Sequence, residues 1–64
     1  MDKFEIQKRA NSVEGLSGMT VNERLWASRL MNYFEKVRTE NKEIAKVILQ
    51  ALRVDEKSIN QILN

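Results

Sequence analysis

The sequence predicts an all-α protein, a small bundle of helices. Three observations predict it: the chain has no proline, its only glycines are Gly15 and Gly18, and apolar residues beyond that point recur at helical spacing. A chain of 64 residues forms one domain at most. We expect residues 19–64 to be the helical domain and residues 1–18 to be an N-terminal extension.

The N-terminal extension has only a weak helical pattern. Phe4, Ile6, Ala10 and Val13 are spaced so that a short amphipathic helix is allowed. Isolated helices of this length are marginal unless they dock on something. We therefore expect residues 1–18 to be loosely ordered or weakly helical, or ordered by a partner.

The first main helix is predicted over about residues 20–39. It begins with a capping box, in which the Thr20 hydroxyl and the Glu23 carboxylate satisfy each other's backbone amides. Its apolar residues fall in one sector, whereas Val21 and Leu25 lie outside that sector. The residues of the sector are Trp26, Ala27, Leu30, Met31, Tyr33, Phe34 and Val37.

The second main helix, over about residues 42–53, is predicted to run antiparallel to the first. Asn41 is its expected N-cap. Its apolar stripe covers about half of the circumference, more than the roughly 100° that docking on one neighbour needs. A short third helix over about residues 56–63, capped by Asp55 and stapled by Val54 and Ile59, is the expected second neighbour.

One continuous helix is an alternative, because nothing between Val37 and Ile44 forces a break. Leu30, Val37 and Ile44 would then share a heptad position, and the chain would form a dimeric coiled coil with Asn41 in the seam. Aromatic residues in that seam favour the hairpin instead.

Composition argues against chemistry of the chain's own. The chain has no His and no Cys, so the usual general base, thiol nucleophile and transition-metal ligands are missing. Its nine acidic residues are scattered among basic neighbours, and no pair lies on an apolar face. We therefore expect no enzymatic activity, no cofactor, no metal and no small-molecule substrate.

Binding is the function class that remains. No apolar run reaches the roughly 18 residues of a membrane helix, and the start lacks the pattern of a secretory signal, so we expect a cytoplasmic protein without membrane contact. A formal charge of +2 permits nucleic acid without indicating it.

The predicted partner is a second copy of the chain or a larger protein. The two apolar arcs exceed what one short third helix can cover, so a monomer would expose a patch of interaction size. The expected contact residues are Arg24, Leu25, Trp26, Met31, Phe34, Leu49 and Leu52.

Residues 52–63 resemble the turn and recognition helix of bacterial helix-turn-helix domains. Val54 and Ile59 match the residues that pack the turn. The resemblance implies a DNA-binding regulator whose major-groove contacts would include Lys57, Asn60 and Gln61. This sequence departs from the pattern in having Arg53 where the family usually has Gly at the turn, and Leu49 where it usually has Ala.

A second resemblance covers about 45 residues. Met19-Thr20-Val21-Asn22-Glu23-Arg24-Leu25, followed by Leu30 and Phe34, resembles a group of small uncharacterised bacterial proteins that begin Met-(Ser/Thr)-Val-Asn-Glu-Arg-Leu. That group implies no function. It has a capping Asp where Asn41 stands here, which favours the hairpin, and residues 1–18 precede its usual start.

Overall fold

The computed structural model describes all 64 residues and contains only helices and turns. Five α-helices follow one another, with one turn of 3-10 helix, Leu16–Gly18, between the first two. They are α1 Lys3–Asn11, α2 Val21–Ala27, α3 Met31–Glu40, α4 Lys42–Ala51 and α5 Glu56–Leu63. The all-α class is confirmed. None of the five has both the length and the apolar character needed to cross a bilayer.

The three predicted helix caps are present. The Glu23 amide donates to the Thr20 hydroxyl at 3.2 Å, and the Thr20 amide donates to the Glu23 carboxylate at 2.8 Å, which completes the capping box. Asn41 accepts from the Ile44 amide, and Asp55 accepts from the amide of Ser58. Because each cap satisfies an otherwise unpaired amide, these starts are specified locally.

The predicted helix over 20–39 is two helices, which corrects the expected boundary. α2 ends at Ala27 and α3 begins at Met31, and Arg29 between them has φ +62°, in the left-handed region. The Leu30 amide donates to the Leu25 carbonyl and the Arg29 amide to the Trp26 carbonyl, the hydrogen bonds of a Schellman motif. The break lets α2 turn Leu25, which was out of phase with the later residues, into the core.

The alternative of one continuous helix is therefore wrong. Besides the break at Arg29, α3 and α4 are separated at Asn41, whose backbone angles, φ −154° and ψ 86°, are not helical. Asn41 caps α4 instead of occupying a coiled-coil seam.

Helix α4 is the centre of the fold. It packs against α1, α3 and α5, one neighbour more than predicted. Ala45, Ile48, Leu49 and Leu52 are fully buried. The helix stops at Ala51, two residues before the predicted end, because Leu52–Val54 form a second Schellman turn in which Arg53 has φ +62°. Helix α5 has the predicted bounds.

The N-terminal segment is part of the same core. Asp2 caps α1 by accepting from the Glu5 amide at 2.8 Å, and α1 packs on α4 with Ile6 and Ala10 buried. The segment expected to be loosely ordered is thus a docked helix. Leu16 of the 3-10 turn is also buried. Residues 1–18 therefore cover apolar surface that we expected a second copy or a partner to cover.

Candidate functional site

Most of the predicted contact residues lie in the core, which corrects their assignment to a binding face. They are at most 9% exposed because α1 and the break at Arg29 close the bundle around them. These residues are Leu25, Met31, Phe34, Leu49 and Leu52. In this fold their side chains stabilise the chain itself, and at most an edge of them, such as the edge of Met31 beside Trp26, is open to a partner.

Arg24 has a structural role. Its Nε donates to the Met19 carbonyl at 3.1 Å, and its Nη1 donates to the carbonyls of Leu52 and Arg53 at 3.1 and 3.2 Å. The guanidinium therefore joins the start of α2 to the C-terminal turn of α4. A cation at a helix C-terminus also interacts favourably with the helix dipole.

Arg9 likewise joins two parts of the chain, since it links α1 to the turn that follows α2. Its Nη1 donates to the Arg29 carbonyl at 3.0 Å, and its Nε pairs with the Glu5 carboxylate at 3.1 Å. Each of the two turns with a left-handed arginine thus has a carbonyl bound by an arginine from another part of the chain. Sequence reasoning missed both bonds because the partners are 20 or more residues apart.

Trp26 is the predicted contact residue that remains on the surface as an apolar side chain. It is 63% exposed, at the C-terminal end of α2. A small groove of about 220 Å³ lies beside it, lined by Trp26, Arg29, Met31 and Asn32. Because α2 ends in a hydrogen-bonded turn two residues later, the indole is carried on an ordered backbone.

A second groove adjoins the Trp26 groove and is cationic. It has a volume of about 440 Å³ and lies between α1 and the turn at Arg29, which borders both grooves. The lining residues are Glu5, Lys8, Arg9, Ser12, Ala27, Ser28 and Arg29. Neither Lys8 nor Arg29 forms an ion pair or a side-chain hydrogen bond in the chain. We call the two grooves together the Trp26 surface.

Sequence reasoning did not find Lys8, Arg9 or Arg29. Arg29 itself gave no signal because the break carries neither Gly nor Pro, and Lys8 and Arg9 lie in a segment that was expected to be loosely ordered or weakly helical. A third groove, of about 610 Å³, lies at the turn of Arg53, and no aromatic residue lines it.

The residues of the DNA-binding alternative lie on one exposed side of α5. Lys57, Asn60 and Gln61 are exposed. Next to them, Glu56 accepts from Gln50 at 3.2 Å and lies 3.9 Å from Lys46. The left-handed Arg53 has the backbone conformation for which the helix-turn-helix pattern usually employs Gly.

Two acidic groups have shifted pKa values, and both are helix caps. A hydrogen bond from the Thr20 amide, with a second from its hydroxyl, lowers the pKa of Glu23. Hydrogen bonds from the Ser58 hydroxyl and then its amide lower the pKa of Asp55. These shifts belong to helix starts and not to the Trp26 surface.

Comparisons with protein-family models, curated proteins and solved structures found no match.

Proposed function

We propose that the chain is a non-enzymatic module that binds another protein through the Trp26 surface. The exposed indole carries the proposal. The large apolar side chains of the fold are buried or partly buried, except for Met1, Phe4 and Trp26, which are exposed. Trp provides a large contact area with few rotatable bonds, and such residues often dominate the binding energy of interfaces.

The position of Trp26 supports this proposal more strongly than its exposure alone does. Phe4 is even more exposed, at 77%, but borders none of the grooves in the fold. Trp26 lies beside a concave surface and next to unpaired cations. A partner can therefore surround the indole and form polar contacts at its rim, which is the usual arrangement of a binding hot spot.

The partner in this proposal differs from the one that the sequence indicated. The dimer face expected from the sequence consisted largely of residues that are buried in one chain. Self-association would have to use exposed residues, such as Trp26 or Phe4, instead. We propose a different protein as the partner, in the cytoplasm, and light scattering of the purified chain tests whether it also pairs with itself.

Site-specific crosslinking in the native host tests the proposal. A photoreactive amino acid at Asn32, which borders the Trp26 groove, is expected to form a discrete protein adduct, and one at Lys42 on α4 is not. Trp26→Ser should abolish the Asn32 adduct because it removes the central contact. Phe4→Ser is the matched control, since it removes an exposed aromatic residue outside the grooves.

The crosslinking result has clear alternatives. An Asn32 adduct that survives Trp26→Ser, or an equal yield from Lys42, contradicts the proposal. Both serine variants should keep the parent's circular dichroism, because substitutions of exposed side chains usually change stability by less than about 0.5 kcal/mol.

DNA binding is the second candidate, and the turn at Arg53 favours it. Its φ of +62° lies in the left-handed region that Gly favours, and Gly is the usual residue at this position of the helix-turn-helix pattern. Against it, Asp55 and Glu56 would lie near phosphates. Anisotropy of a labelled random-sequence duplex tests it: a DNA reader should bind at low salt and lose affinity with Lys57→Glu and Asn60→Asp, whereas a protein-binding module should respond to neither.

A further inference from the structure

We propose that the segment that docks on the Trp26 surface is acidic, with an apolar side chain placed against Trp26 and flanking carboxylates that contact Lys8 and Arg29. The inference rests on the proposed function and adds the chemistry of the partner. It is carried by two observations: Arg29 borders both grooves, and two of the cations that line them are unpaired.

The two grooves are neighbours, because Arg29 borders both. The Trp26 groove is small and supplies the apolar contact through Trp26 and the edge of Met31. The larger cationic groove continues across the turn to Lys8 on α1. A short extended peptide that places one apolar side chain at Trp26 would therefore have its neighbouring residues beside the cations.

The charge of the cationic groove is only partly satisfied within the chain. Arg9 pairs with Glu5 and binds the Arg29 carbonyl, so this acid and this base neutralise each other. Lys8 and Arg29 are exposed and have no partner. Two unpaired cations next to an apolar anchor are complementary to carboxylates on either side of an apolar side chain, and guanidinium–carboxylate pairs can be bidentate.

The backbone of Arg29 has the left-handed conformation of a Schellman turn, in which Gly is the usual residue. Nothing in the chain contacts the Arg29 guanidinium through a hydrogen bond or ion pair that would explain its presence. Arg53 has the same φ, but its groove has no aromatic anchor, so it is the natural control.

A second copy of the chain and nucleic acid fit this surface less well. A two-fold dimer would set the patch against itself and bring Lys8 and Arg29 of one copy toward those of the other. Tight binding to a phosphate backbone needs many cations, whereas this surface has two unpaired ones and includes Glu5. An acidic protein segment matches both the positive charge of this surface and the small area over which that charge extends.

Selection of short random peptides displayed on phage, with the purified full chain as bait, tests the proposal. The recovered peptides should be enriched in Asp and Glu around an apolar residue. Synthetic peptides of these sequences, chosen without Trp, can be titrated by the fluorescence of Trp26, the only Trp in the chain. Their affinity should fall as salt rises.

Glycine variants of the two turns make the titration specific. Arg29→Gly should weaken peptide binding about tenfold, the loss expected for one charge-assisted contact, and Arg53→Gly should change it less than about twofold. Because Gly relieves the backbone at both positions, Arg29→Gly is expected to stay folded, so that a loss of binding reflects the missing guanidinium. Lys8→Ala should weaken binding as well, since it removes the second unpaired cation.

The other outcomes separate this inference from the proposed function. If the recovered peptides are not enriched in acidic residues but still lose binding with Trp26→Ser, the partner is not acidic, whereas the proposal of a protein-binding module is supported. Recovery of no peptide, or of peptides insensitive to Trp26→Ser, would overturn both. A dimer dissociated by Arg29→Gly, or tighter binding of a DNA oligonucleotide that depends on Arg29, would also overturn the acidic peptide.

Discussion

The turns Ser28–Leu30 and Leu52–Val54 are built alike and differ in what surrounds them. Each ends a helix in a Schellman motif, has an arginine at φ +62°, and has a carbonyl bound by a distant arginine. The first lies beside Trp26 and an unpaired Lys8, and the second lies beside a groove without an aromatic residue. The shared features are therefore those of chain reversal, and the differences mark the surface that we propose for binding.

The turns also differ in how firmly they are fastened. Arg24 makes three hydrogen bonds, two of them to the second turn, whereas Arg9 makes one to the first turn and pairs with Glu5 in its own helix. Arg24→Ala should lower the free energy of unfolding by about 1.5–3 kcal/mol, because it removes charge-assisted bonds and leaves partly buried carbonyls unpaired. Urea denaturation followed by circular dichroism measures it.

The control for this prediction is Arg24→Lys. A lysine keeps the charge at the end of α4 but lacks the fork that reaches Met19 and the second turn together, so it should restore only part of the loss. Full recovery by Lys would mean that charge alone matters and that the hydrogen-bond geometry contributes little.

Arg9→Ala should have a smaller effect, about 0.5–1.5 kcal/mol, in the same denaturation assay. It removes one hydrogen bond to the first turn and a partly exposed ion pair within α1. Glu5→Gln separates the two contributions, because it removes the ion pair and keeps Arg9 free to bind the Arg29 carbonyl. If Arg9→Ala were the more damaging of the two arginine variants, our ranking of the turns would be wrong.

Gly at the left-handed positions should raise stability at both turns. Arg29→Gly and Arg53→Gly should each increase the free energy of unfolding by about 0.5–1 kcal/mol. This gain is the energy released by relieving a disfavoured backbone conformation, minus the entropic cost of the more flexible unfolded chain. Alanine at the same positions keeps the Cβ and is the control, so it should not stabilise. The two glycine variants should then differ only in binding, and a loss of stability in either would contradict the strain at that turn.

Three helix starts and the turn before α5 could be predicted from the sequence, whereas the turn at Arg29 could not. Thr20, Asn41 and Asp55 cap their helices through bonds to amides three residues ahead, so a local pattern was enough. The break at Arg29 lacks Gly and Pro. Its one sequence signal was that Val21 and Leu25 fell outside the apolar sector, which indicated that α2 presents a different face from α3.

The candidate site was harder to predict because it depends on long-range packing. Trp26 was expected on a face shared with Phe34, but the turn separates the two, leaving Phe34 buried and Trp26 exposed. The neighbours of Trp26 come from α1, whose docking through Ile6 and Ala10 has no strong local signal. The same docking covers the apolar surface from which a dimer was expected.

Acid should affect the second turn more directly than the first. Asp55, whose pKa is lowered by hydrogen bonds from Ser58, caps α5 just after the second turn, whereas Leu30 at the start of α3 offers no side-chain cap. A pKa that is lower in the folded state means that the carboxylate stabilises the fold above about pH 4, and that this contribution is lost as the pH falls through the folded value.

Asp55→Asn tests that assignment, because Asn caps helices about as well as Asp and does not titrate in this range. At neutral pH the variant should unfold at nearly the same urea concentration as the parent, and its stability should fall less steeply below pH 4. Glu23→Gln gives the matched measurement at the start of α2, where the pKa is also lowered. If Asp55→Asn followed the acid profile of the parent, the loss would arise elsewhere and the cap of α5 would not distinguish the second turn from the first.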